Sequence, residues 1–189
     1  MTFYYNSTSQ PESTFNEHQL ELFYEAIQER FTGPTELMTY INESVWSDKD
    51  SYSWVMPDGH TVYIPVYDKE ELTVELDEGC EFTYTYSVNK ANNNHRHLVP
   101  NIIHAFDAYV ARELVRRCDF EVATIHDSFW CSCSNLFTMK DTFKEIMIEL
   151  AESNALNNVL KQINPNIDGF DKIDPTMHKK MHNSEYMLS

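Results

Sequence analysis

Apolar side chains recur along this chain at two spacings, and the changes between them separate helical from extended segments. Between residues 16 and 31, Leu20, Phe23, Ile27 and Phe31 recur at the period of one helix face, and the pattern stops at Gly33 and Pro34. Leu37, Tyr40, Ile41 and Val45 predict a second helix over residues 35–46. Residues 1–14 are polar, with Ser, Thr, Asn, Gln and Pro, and read as a flexible arm.

The pattern then becomes extended. Residues 52–56, a Pro57-Asp58-Gly59 turn and the run "HTVYIPVYD" predict a hairpin. Residues 72–76 and 82–88 alternate apolar or aromatic with polar side chains, as half-buried strands do. The tract "NKANNNHRH" that follows is a loop in any reading, and it gathers Asn93, Asn94, His95, Arg96 and His97.

Pro100 opens a strong helix within its first turn, where a missing N–H is harmless. Ile102, Ile103, Phe106, Val110 and Leu114 form its apolar stripe, whereas His104, Asp107 and Ala111 line a separate small and polar stripe. Two further apolar runs, residues 120–125 and 129–133, predict a short hairpin with His126, Asp127 and Ser128 at its turn. Asp is a common turn residue because its side chain caps backbone N–H groups. The periodicity alone therefore leaves Asp127 between a structural and a functional role, and His104 and Asp107 between a solvated face and a site.

Residues 139–152 form a further amphipathic helix with Phe143, Ile146, Met147 and Leu150 inward, residues 156–163 a short one, and a polar tail ends on "SEYMLS". The sum is an α+β fold, helices packed on a hairpin-rich antiparallel sheet. It divides into an arm and helix (1–34), a helix with hairpins (35–99), a helix–hairpin–helix unit (100–163) and a tail (164–189).

Composition narrows the function. The 189 residues suit one domain with a real core, 42% hydrophobic and 13% aromatic. Fourteen Lys and Arg against 30 Asp and Glu give a net charge of −16, the wrong sign for a chain that grips phosphate backbones by itself. Cys80, Cys118, Cys131 and Cys133 show no disulfide framework, and Cys131-Ser-Cys133 with His126 lacks a fourth zinc ligand at sensible spacing. There is no signal-peptide pattern and no run of about 18 apolar residues. A cytoplasmic location with reduced thiols is expected.

Several segments resemble, in collinear order, the C-terminal part of the bacteriophage-type single-subunit RNA polymerases, the family that includes the mitochondrial enzyme. "WVMPDGHTV" (residues 54–62) is similar to the family's W-x-x-PDG-x-x-V segment, "PNIIHAFDAYV" (100–110) to its PN-x-x-H-x-x-D helix, and "HDSF" (126–129) to its palm hairpin. "SEYMLS" (184–189) resembles its C-terminal foot. The related family-A DNA polymerases carry HDE instead of HDS at the hairpin.

The resemblance implies roles. Asp127 is one of two aspartates that hold Mg²⁺ for nucleotidyl transfer, and His104 lies beside the incoming ribonucleoside triphosphate, where it senses the ribose 2′-hydroxyl. Asp107 orients His104, and His126 and Ser128 lie on the nucleotide side. Tyr186 and Ser189 belong to the foot. The family's promoter-reading hairpin falls between the strand at Phe82 and the helix at Pro100, where the connection (residues 83–99, with Asn93, Asn94, His95, Arg96 and His97) is short here and leaves room for a promoter-recognition or single-stranded-DNA-binding factor. Trp130 departs from the family, which commonly has a small residue there.

The family's other palm aspartate and its K-x-x-x-x-x-x-x-Y-G fingers helix have no counterpart in the sequence. A chain that starts with Met and reaches a family-like terminus without them reads as the small subunit of a split DNA-directed RNA polymerase. It would be active on a DNA template, with RNA as product, only beside a second subunit. The alternatives are a catalytically silent, palm-derived binding module and a truncated DNA polymerase.

Overall fold

The computed structural model describes residues 9–76, 80–91, 97–125, 127–171 and 174–184. Helix α1 (Ser9–Thr14) precedes α2 (Glu17–Arg30) and α3 (Thr32–Tyr40), which runs into a π-helical turn at Ile41–Val45. Strands β1 (Ser51–Val55) and β2 (Thr61–Pro65) pair, as do β3 (Tyr67–Leu76) and β4 (Cys80–Asn89). Helix α4 (Leu98–Arg117) leads to the small pair β5 (Ala123–Ile125) and β6 (Ser128–Trp130), followed by α5 (Leu136–Glu152), α6 (Ala155–Ile163) and α7 (Met177–His182). The class is α+β, as its periodicity predicts, but among the described residues the strands form three separate antiparallel ribbons.

Helix α4 is the axis of the core. Its Leu98, Ile102, Val110 and Leu114 pack with Ile41 and Val45 of the π turn, Tyr52 and Trp54 of β1, Ile146 of α5 and Leu160 of α6. The π turn closes with Trp46 N–H donating to Ile41 O at 2.8 Å, and it brings both Ile41 and Val45 inward. Side chains then tie α6 to the first ribbon. Gln162 accepts from Val55 N–H at 2.8 Å and donates to Val55 O at 3.1 Å, and Lys49 Nζ donates to Ile163 O at 2.8 Å.

Several expectations need correction. Residues 9–14 are helical, not part of an arm, and Phe15 packs its ring 5.2 Å from Phe23. The helix break falls at Phe31, because Pro34 sits in the first turn of α3, where its fixed φ suits a helix start. The run 60–68 is two strands separated at the buried Val66. Helix α4 starts at Leu98, two residues before Pro100, whose missing N–H still falls among the unpaired donors of a helix start. Ser128 lies in β6 opposite Ile125, so only His126 and Asp127 separate the strands.

Strands β3 and β4 alternate as predicted but are exposed along most of their length, since nothing in the described residues covers them. Helix α7 was hidden by a polar sequence. Lys144 of α5 anchors the chain that leaves it, donating to His182 O at 2.7 Å and Ser184 O at 2.8 Å.

Candidate functional site

The exposed stripe of α4 and the tip of the β5–β6 ribbon approach one another. His104 and Asp107 are both exposed on α4, and Asp127 is exposed at the ribbon's turn. Partial desolvation holds the Asp107 carboxyl above its ordinary range. The field of His104 lowers it, while that of Asp127 pushes it further up. Two groups named from the sequence thus act on the Asp107 carboxyl, one from its own helix and one from a ribbon remote along the chain. The desolvation has a visible source, because Asp107 lies on the rim of an apolar cavity of about 450 Å³ lined by Ile103, Phe106 and Phe170.

Helix α4 is held firmly behind this stripe. Arg112 Nε donates to Asp58 Oδ2 at 2.6 Å, which fastens the PDG turn of the first ribbon to the helix and holds the Asp58 carboxyl below its usual value. One turn further, Glu113 is buried with 2% of its surface exposed and accepts from Arg116 at 2.6 and 2.9 Å and from Arg117 at 2.9 Å. Arg117 also makes a two-pronged contact with Glu149 of α5 at 2.6 and 2.8 Å. A buried acid is tolerable only when paired and hydrogen-bonded in this way.

A second cavity, of about 480 Å³, opens at the ribbon. Asp127, Ser128 and Trp130 line it from one side, and Phe137 and Lys140 of α5 from the other. Trp130 is 61% exposed and Phe137 76%, so two aromatic faces and a lysine stand beside the carboxylate. Sequence reasoning passed over Phe137 and Lys140. Leu136 and Phe137 are exposed at the start of α5, 51% and 76%, outside the face that the apolar period marks as inward.

The other named residues separate from this cluster or lie outside the described residues. His97 is exposed at the entrance to α4, where its backbone O accepts from Asn101 Nδ2 at 2.7 Å. His126, Asn93, Asn94, His95, Arg96, Tyr186 and Ser189 lie outside the described residues. Among the described residues no three His, Cys, Asp or Glu side chains gather as a metal cage. Mg²⁺ does not require one: it commonly takes one or two carboxylates and fills its sphere with water and substrate phosphate. An exposed hard oxygen on a tight turn fits that donor set.

The family model for DNA-dependent RNA polymerase matches residues 6–187, almost the whole chain. The chain belongs to the phage-type DNA-dependent RNA polymerase family. No curated protein matches it. Membership brings DNA-directed nucleotidyl transfer, with a DNA template, ribonucleoside triphosphates and an RNA product, in a family that generally uses Mg²⁺. Among the described residues no helix is long and apolar enough to cross a membrane.

Proposed function

We propose that this polymerase chain is the small subunit of a split enzyme and contributes one palm carboxylate, Asp127, to RNA synthesis. One observation carries the reading: Asp127 projects from a ribbon tip close enough to the polar stripe of α4 for its charge to act on Asp107, with His104 acting on the same carboxyl. Mg²⁺ bound there would activate the primer 3′-hydroxyl and neutralise charge on the transferring phosphoryl group. Asp127 would hold the metal through its carboxylate oxygens. His104 exchanges a hydrogen bond with the ribose 2′-hydroxyl of the incoming nucleotide, and Asp107 orients the imidazole. The Trp130 ring and Lys140 line the space beside the carboxylate, as a base and a phosphate of the primer strand require.

One carboxylate does not make a two-metal site, and a net charge of −16 does not make a template channel. The second subunit supplies the other aspartate, the fingers groups and most of the cationic surface. Exposed Trp130, Leu136 and Phe137 next to the site suit burial by such a partner.

The test is Asp127→Asn in the reconstituted enzyme, formed from this chain and the product of a neighbouring reading frame. Assembly should survive and nucleotide incorporation should nearly vanish, because the change keeps the shape and removes the charge. A variant within about tenfold of wild type overturns the assignment. RNA synthesis by this chain alone, at the rate of the mixture, overturns the split.

A further inference from the structure

Beyond α6 the chain turns back and sets Phe170 against the helices. Asn157 grips that residue by both backbone groups, accepting from Phe170 N–H at 2.7 Å and donating to Phe170 O at 2.9 Å. Gly169 N–H donates to Tyr40 Oη at 3.2 Å, and its φ of +110° is a conformation that favours glycine. A side chain there would also crowd the clamp, with its Cβ 3.3 Å from Asn157 Oδ1. The Phe170 ring is thereby fixed 5.5 Å from that of Tyr40. This clamp takes no part in the chemistry assigned to Asp127.

What the clamp completes is a preformed cavity. Phe170 closes the apolar space of about 450 Å³, whose other walls include Leu37 and Met38 of α3 and Ile102, Ile103 and Phe106 of α4. That volume suits a ligand of drug size. Asp107, at the rim, is the one polar or charged side chain among the lining residues, and no described residue donates a hydrogen bond to it. This lining selects by chemistry. A nucleotide or another anion would find no donor side chain and would meet a carboxylate. An apolar body bearing one cationic group satisfies both the wall and the rim. The neighbouring cavity of about 700 Å³, which shares Phe106 and Phe170, does not offer the same charge, because its Asp174 already accepts from Lys180 at 2.5 Å and Thr176 at 2.6 Å.

We propose that the cavity beneath Phe170 binds a compact organic cation, with an apolar aromatic body inside and an ammonium group against Asp107. Asp107 is one helical turn from His104 on the same exposed stripe of α4, so occupancy would reach the catalytic face as well. Binding itself does not depend on the roles assigned to His104 and Asp127.

The experiment titrates the full chain with naphthylmethylamine, naphthylmethanol and naphthoate, following naphthyl fluorescence. Saturable binding should favour the amine over the alcohol by about fivefold, with naphthoate weakest. Asp107→Asn should abolish the preference for the amine and leave the alcohol's affinity unchanged, whereas Phe170→Ala should weaken all three by about tenfold or more. Non-saturable uptake, equal affinity for amine and alcohol in wild type, or a preference that survives Asp107→Asn overturns the proposal. So does amine binding that disappears once the chain is complexed with a co-purified polymerase subunit, because the cavity is then the seat of a segment of that protein. If Phe170→Ala fails to fold, Asp107→Asn decides alone, since it alters an exposed carboxylate and keeps its shape.

Discussion

Arg112 and Asp58 meet at 2.6 Å although 54 positions separate them in the chain. The contact joins the two motifs on which membership of the polymerase family was first legible, the PDG turn and the helix that carries His104. It fixes α4 to the first ribbon. The Asp58 carboxyl is depressed chiefly by its hydrogen bond from Arg112, so its contribution to stability is full above the ordinary Asp pKa and is lost as pH falls through the lower folded value. Asp58→Asn should therefore lower stability at pH 7 by about 1–2 kcal/mol, discounted for the part-exposed guanidinium. Melting temperatures from pH 7 down to about 3 provide the check, with the gap between variant and wild type closing at the acid end.

Asp107 should behave in the opposite sense. Its folded-state pKa is raised, first by desolvation, so the native state holds its proton more tightly than the unfolded chain does and stability increases as pH falls through that raised value. Asp107→Asn should stabilise the chain slightly at pH 7, by at most about 0.5 kcal/mol given its exposure, and be neutral below about pH 4. Destabilisation by Asp107→Asn at pH 7 would show that the charged carboxylate makes a favourable contact instead.

His104→Ala tests the reading of the polar stripe. Removing one hydrogen bond to the ribose should reduce the preference for ribo- over deoxyribonucleotides in the assembled enzyme by about tenfold, with a smaller effect on overall nucleotide affinity. The ratio of the two kcat/KM values is the measurement. An unchanged ratio returns His104 to the solvated face of a helix.

Lys144→Met should loosen the chain beyond α7, because the ammonium is the donor to both His182 O and Ser184 O. Loss of two charge-assisted bonds at a part-exposed site is worth about 1–2 kcal/mol. Proteolysis near residue 184 should accelerate while the core transition hardly moves. If the last residues serve the site, incorporation by the reconstituted enzyme falls as well, and extending the chain past Ser189 should have the same effect.

The long helices were legible because their apolar period runs over several turns, whereas α1 and α7, six residues each, are too short to show one, and the starts of α3 and α4 fall two residues before the prolines that signal them. The Asp127 turn was legible from the two apolar runs that flank it. The exposure of β3 and β4 was not, since alternation defines a face without saying what covers it. Glu113 was overlooked among the charges of its helix end, although arginines three and four residues on are the spacing at which a helix can pair a buried acid. The cavity shared by Trp130 and Lys140 depends on how α5 returns past the ribbon, and no local pattern encodes that return.

Strands β5 and β6 pair over only three residues each, so Asp127 is mounted on the smallest of the ribbons among the described residues. A ribbon of that size can open locally for far less free energy than the core needs to come apart. Its amide protons should exchange with solvent early, while those beneath Ile146 and Leu160 wait for global unfolding. Catalytic geometry tolerates errors of only about 0.5 Å. Whatever caps the free edge of this ribbon therefore sets the fraction of time the carboxylate spends in register, and turnover should follow that fraction even where affinity for nucleotide is constant.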